Sequence, residues 1–201
     1  MKVKICGVTT AEDACHAAAC GADAIGFVFA QSKRQITAIE AGEIIGRLPK
    51  DVWKVGVFVN EAPDKIKQIA EMAGLTHIQL HGEEAAADYK SIGLPLIKAG
   101  SIRPGKDIHD SCTGGEADYI LLDSPPEKYR GGNGVSFDWN QAHGFGNSFP
   151  NIILAGGLNP GNVQEAIEKV SPFMVDVSSG VETNGRKDAL KIQEFIISAK
   201  D

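Results

Sequence analysis

Short apolar runs and longer segments of mixed character alternate along this chain. The runs are Val3 to Ile5, Ala24 to Phe29, Trp53 to Val59, Thr76 to Leu80, Leu96 to Ala99, Tyr119 to Leu122, Ile152 to Leu154 and Met174 to Val177. They are brief and mostly bounded by polar or glycine-containing turns, which is the pattern of strands buried on both faces. The segments Ala11 to Gly21, Ile36 to Leu48, Pro63 to Ala73, Glu83 to Ile92, Asn162 to Val170 and Asp188 to Ala199 carry apolar residues three and four apart, with charged residues elsewhere. That spacing predicts helices with one face packed on the strands. Thr9 or Thr10 and Asp188 are expected N-caps, Pro63 and Pro160 sit near first turns, and Gly21, Gly74 and Gly93 mark ends. Eight strand units is the number that closes a parallel barrel, whereas a doubly wound open sheet ordinarily has fewer. The expectation is an α/β chain folded as a single (β/α)8 barrel domain over residues 1–201. One stretch departs from the beat: Ser124 to Pro150, with Pro125-Pro126 and Gly131, Gly132 and Gly134, reads as a long functional loop.

Composition narrows the function. At 201 residues and 43% hydrophobic, the chain can bury one substantial core but is short for eight units, so its connections must be minimal. A net charge of −6, with no basic cluster denser than Lys33-Arg34, argues against a nucleic-acid surface while leaving room for a small anion. No apolar run is long enough to span a bilayer, and the opening MKVKICGVTT lacks the apolar core of a signal peptide, so a cytoplasmic protein is expected. The cysteines Cys6, Cys15, Cys20 and Cys112 are then expected to be reduced, with Cys15 and Cys20 acting as small hydrophobes on the first helix. Their spacing is not that of a metal site, and His16, His77, His81, His109 and His143 add no ligand cluster, so no metal is expected. No apolar helix face stands out for assembly, which suggests a monomer or at most a weak homodimer.

In a barrel, the residues following the strands line one rim, and that rim carries the chemistry. Read in order they are Cys6, Arg34, Asn60, His81, Asp123, Gly156-Gly157 and Ser178-Ser179-Gly180. The two glycine-containing tracts after strands seven and eight stand where barrels commonly hold phosphate, because backbone N–H groups can approach an anion closely there. Gly156, Gly157, Ser179 and Gly180 are therefore the expected phosphate cradle of a phosphate-binding barrel. Cys6 and Asp123 are the candidate base and acid, since a thiolate can take a proton from carbon and a carboxylic acid can give one. As bare residue types, the cysteine could equally be core filler and the aspartate a turn cap. Arg34 could fork onto a carboxylate or phosphate, or be a solvated charge at a helix start. His81 could point into the mouth or be a hydrogen-bonded structural histidine. Lys4, inside the first strand, needs an acidic partner if it faces inward.

The tracts KICGVT (Lys4 to Thr9), GFVFAQSKRQI (Gly26 to Ile36), GVFVN (Gly56 to Asn60), QLHGEE (Gln79 to Glu84), LLDS (Leu121 to Ser124), GGNGVSFDW (Gly131 to Trp139), LAGGLNPGNV (Leu154 to Val163) and VDVSSGVE (Val175 to Glu182) occur in this order over the full chain. Together they resemble the phosphoribosylanthranilate isomerase family of tryptophan biosynthesis. The resemblance implies a TIM barrel of the phosphate-binding type that performs an Amadori rearrangement of N-(5-phosphoribosyl)anthranilate, without cofactor. Carried over by position, it makes Cys6 the general base, Asp123 the general acid and Arg34 the partner of the anthranilate carboxylate. His81 and Asp176 would neighbour the substrate, and the backbone around Gly157, Ser179 and Gly180 would hold the phosphate. Two positions depart from the family: Lys33 stands where proline is common, and Asn133 where threonine or serine is usual. A pentose-phosphate epimerase would be expected to show metal-binding His and Asp at strand ends, and indoleglycerol-phosphate synthase a catalytic lysine set with an extra N-terminal segment. A sugar-phosphate binder without chemistry would not need both Cys6 and Asp123.

Overall fold

The computed structural model describes residues 1–101, 116–123, 139 and 149–201. Eight parallel strands follow in chain order: β1 (Lys2–Cys6), β2 (Ala24–Val28), β3 (Trp53–Phe58), β4 (His77–Leu80), β5 (Leu96–Ser101), β6 (Tyr119–Asp123), β7 (Ile152–Leu154) and β8 (Met174–Val177). Each pairs with the next, and β8 returns to pair with β1, closing the barrel as the strand count predicts. Cys112, His109, His143, Asn133 and nearly all of the expected loop from Ser124 to Pro150 lie outside the described residues.

Period-two alternation sorts the strand residues between two cores. Outward-facing Val3, Ile5, Ile25, Phe27, Ile78, Leu80, Leu122 and Leu154 pack against helix residues such as Ala14, Ile44, Ile66, Ala166 and Phe195. Inside the barrel a smaller cluster joins Ala24, Val55, Ile97, Leu121, Ile153 and Met174. Below it, at the strands' amino ends, aromatic rings plug the barrel. Trp53 stacks on His77 with centroids 3.9 Å apart, Tyr119 lies 5.4 Å from Phe173, and the Lys2 ammonium sits 5.4 Å from the Trp53 ring centre. Apart from His77 within this plug, the buried polar groups Lys4, Gln79 and Asp176 lie toward the other end.

The α-helices among the described residues are α1 (Ala11–Ala19), α2 (Ala38–Ile45), α3 (Pro63–Ala73), α4 (Val163–Val170) and α5 (Ala189–Lys200). Thr10 caps α1 by accepting from the Asp13 N–H, and Thr37 and Glu40 form a reciprocal capping box that starts α2 two residues later than the apolar spacing suggests. Pro63 opens α3, left-handed Gly74 closes it, and Asp188 caps α5, all as expected. The expected helix over Glu83 to Ile92 differs. It is a 3-10 helix, Ala86–Ile92, because the Glu84 carboxylate is drawn back to the Asn60 and Gly82 N–H groups. Seven residues then remain before Gly93, and a 3-10 helix stretches them over about 14 Å, against about 10 Å for an α-helix. No helix among the described residues is long and apolar enough to cross a membrane.

The plug has a pH signature. Burial drives the His77 ring down to about 4, with Asp118 acting weakly in the opposite direction, while an unfolded chain titrates its histidine near 6.5. Between those values the unfolded chain binds a proton that the native ring refuses, so stability is intact above about pH 6.5 and falls as pH drops toward 4. Urea denaturation should show the wild type losing stability across this window more steeply than His77→Phe, which keeps the stack. Parallel curves would contradict this account.

Candidate active site

A cavity of about 350 Å³ opens at the carboxyl ends of the strands. Its walls include Cys6 from β1, Asp123 from β6 and Asp176 from β8, with Arg34, His81, Gly156, Gly157, Ser179 and Gly180 from the following loops. Every residue singled out for the site from sequence thus faces one space. Of the remaining rim positions, Asn60 serves elsewhere: it accepts from the Glu83 N–H and bonds Glu84, tying the loops after β3 and β4 together.

Cys6 and Lys4 are alternate residues of β1 and both point inward. The Lys4 amine is fully buried and donates to Asp176 Oδ2 at 2.8 Å, which supplies the acidic partner that its inward position requires. The other carboxylate oxygen, Asp176 Oδ1, is buried and has no hydrogen-bond partner among the described residues. Burial pushes the Cys6 thiol above its ordinary value, and the Lys4 ammonium is the largest influence pulling it back.

Across the mouth, Asp123 Oδ2 lies 3.5 Å from His81 Nε2. Gln79 Nε2 donates to His81 Nδ1 at 3.0 Å, so in the neutral ring the proton sits on Nε2, the nitrogen nearer Asp123. His81 is thereby a rim residue that stands beside Asp123.

Arg34 reaches the cavity over the end of β1. Gly7 makes this possible: its φ is +72°, and a Cβ there would come within 2.4 Å of Arg34 Cδ. The guanidinium then forks onto Glu182, with Nε and Nη2 donating at 2.6 and 2.9 Å. Lys187 donates to the same carboxylate at 3.0 Å and to the Ser178 carbonyl at 2.9 Å, while Lys33 approaches Glu182 at 3.6 Å. Nη1 of Arg34 has no protein partner among the described residues, so one edge of a fixed guanidinium remains for an anion. Sequence reasoning named Glu182 only inside a tract and missed its role as the anchor of Arg34; an acid just past the Ser-Ser-Gly tract was the available signal.

The two glycine loops interlock. A Cβ on Gly180 would fall 1.8 Å from the Leu158 carbonyl oxygen, so the turn after β8 is packed directly on the loop after β7. Gly156 and Gly157 both have positive φ, and Asn162 braces them by donating to the Gly157 carbonyl at 3.0 Å while accepting from the Asn159 N–H at 2.8 Å. This bracing was also missed from sequence, where Asn162 read only as a helix start. The result is a rigid, uncharged concave backbone facing the cavity from the side opposite the loop that carries His81.

Known proteins share this architecture. Residues 3–198 match the family model described as N-(5'phosphoribosyl)anthranilate (PRA) isomerase. A relative in Bacillus mycoides (strain KBAB4), named N-(5'-phosphoribosyl)anthranilate isomerase, is 54% identical over 202 residues, covering 100% of this chain and 98% of its own. The solved phosphoribosyl anthranilate isomerase from Thermotoga maritima is 45% identical with a TM-score of 0.91, covering 100% of this chain and 98% of its own. A further structure, at 41% identity, TM-score 0.84 and the same coverage, is of the isomerase in complex with reduced 1-(o-carboxyphenylamino)-1-deoxyribulose 5-phosphate.

The Arg34 anchor is testable without any substrate. Burial pushes the Glu182 carboxyl upward, but hydrogen bonds from Arg34 and Lys187, with their charges, outweigh it and hold the group at about 2. A free glutamate titrates near 4.3, so the stabilisation is complete above that value and is lost as pH falls toward 2. Wild type should therefore exceed Glu182→Gln in stability by a constant margin above about pH 5, and the margin should shrink as the solution is acidified below pH 4. A margin that is absent at neutral pH, or that grows on acidification, would contradict the anchor.

Proposed function

The chain belongs to the N-(5'-phosphoribosyl)anthranilate isomerase family of tryptophan biosynthesis, and on that premise we propose that Cys6 is its general base and Asp123 its general acid. The observation that carries this reading is that the two side chains, contributed by β1 and β6, line the same 350 Å³ cavity with anion-binding groups around them. Asp123 protonates the ribose ring oxygen, and the furanose opens to a Schiff base. Cys6 then removes the proton from sugar C2, giving an enolamine that tautomerises to the ketone. The electron pair released from the C–H bond flows into the iminium, so the step needs no redox group or metal.

Binding energy is converted into orientation in this scheme. The Gly156-Gly157 and Ser179-Gly180 backbone holds the phosphate, and the free edge of Arg34 takes the anthranilate carboxylate. The reacting carbon is then suspended between thiol and carboxyl, with His81 and Asp176 beside the sugar. A relative was solved with the reduced product analogue, a ligand that carries both anions, and this supports the two-anchor arrangement. The same reading makes residues 1–201 one barrel domain that acts in the cytoplasm on a small molecule, as a monomer or weak homodimer.

Cys6→Ser and Asp123→Asn should each lower kcat by orders of magnitude with the thermal transition retained, as followed by loss of phosphoribosylanthranilate fluorescence. Turnover near wild type in either variant would remove that residue from the mechanism. Arg34→Ala should chiefly raise KM, by roughly tenfold or more for a lost charge-assisted fork. An unchanged KM would show that the carboxylate binds elsewhere.

A further inference from the structure

Among the described residues, Lys4 is the one fully buried charge of the barrel interior that the acid–base scheme leaves without a task. We propose that Lys4 is a positioning residue that supplies the positive charge against which Cys6 carries its thiolate. The inference rests on the reading of Cys6 as general base and assigns the means by which a buried sulfur can serve as one.

Strand register builds the arrangement. On one side of β1 the Cα partner of Lys4 is Asp176 on β8; on the other side the partner of Cys6 is Gly26 on β2. A Cβ on Gly26 would stand 2.8 Å from Cys6 Sγ and 3.2 Å from Lys4 Nζ. Thiol and ammonium therefore converge on the space that this glycine leaves empty in mid-strand. An ion pair needed only for stability explains Lys4 with Asp176, but it explains neither the gap at Gly26 nor the approach of the amine to sulfur. Buried ion pairs are in general no more stabilising than apolar residues of the same volume, and the layer beneath this one is apolar throughout.

The charges around the thiol point the same way. Asp176 on β8 raises the cost of a second negative charge, and its unpartnered Oδ1 leaves that charge poorly screened. Lys187, from the segment after β8, acts in favour of the thiolate, but its amine is committed to Glu182 and the Ser178 carbonyl. Asp123 on β6 and His81 after β4 face Asp176 from the far wall with opposite effects. Of the described cations, Lys4 is the one that meets Asp176 and also approaches the thiol at the Gly26 gap, and it is held as an ammonium despite full burial, because Asp176 and Cys6 together outweigh the desolvation that disfavours it.

The test reads the thiol and not the reaction. Iodoacetamide alkylation of the Cys6 peptide, followed by mass spectrometry across pH, reports the thiolate fraction in the intact protein. Lys4→Met should move the midpoint up by about one pH unit or more, and the rising limb of the kcat/KM profile should move with it. Because Lys4→Met strands the Asp176 charge and can fail to fold, Asp176→Asn is compared with Lys4→Met/Asp176→Asn, in which both charges are gone; the same upward shift is expected. Lys4→Arg, where it folds, should keep the midpoint near wild type. Equal midpoints within the Asp176→Asn pair would overturn the proposal, since a purely structural lysine would change the thermal transition only. Full turnover in Cys6→Ser would instead defeat the general-base reading while leaving the alkylation shift intact, so the two failures are distinguishable.

Discussion

The pairing of the first strand with the last governs the rest of the molecule. Eight parallel strands have unsatisfied edges until β1 meets β8, and closure fixes a register in which Lys4 stands beside Asp176. Desolvating each of two such ions costs roughly several kcal/mol, so this register is tolerable only because the partners meet at 2.8 Å. A slip of one residue would turn Lys4 and Cys6 outward onto the helices and carry Val3 and Ile5 into the barrel. The closing of the barrel and the assembly of the site are the same event.

The barrel divides its two ends by chemistry. Aromatic rings and Lys2 close the amino end, where Trp53, His77, Tyr119 and Phe173 pack face against face and edge. An apolar layer fills the middle, and above it the inward positions change abruptly to lysine, cysteine, glutamine and aspartate. Polar groups facing one another over a dry layer are coupled strongly, because little solvent screens them from below. That coupling explains why the thiol of Cys6 responds to groups from several strands.

Positive charge at the mouth is organised by one acid. Glu182 receives Arg34, Lys187 and Lys33, so a chain with net negative charge presents a local cationic wall without a run of basic residues in sequence. Gly7 lets Arg34 pass over β1, and Gly180 lets the loops after β7 and β8 touch. Both close approaches reduce freedom around the cavity, and preorganisation of this kind is what a reaction with anchors at two ends of its substrate requires.

The sequence by itself determined the strand count, most helix limits and the identity of the rim residues, because hydrophobic periodicity and turn chemistry are local properties that each segment carries with it. Cys6, Arg34, His81 and Asp123 were legible because strand ends in a barrel share a rim, whereas Asp176, inside β8, was named only through the family resemblance. Partnerships across the chain were not legible. The fork of Arg34 onto Glu182, the brace of Asn162 on Gly157, the approach of Lys4 to Cys6 beside Gly26 and the 3-10 geometry of Ala86–Ile92 each depend on how strands separated in sequence are registered. No local pattern encodes those distances, since they are set only when β1 and β8 meet and the barrel's shear becomes fixed.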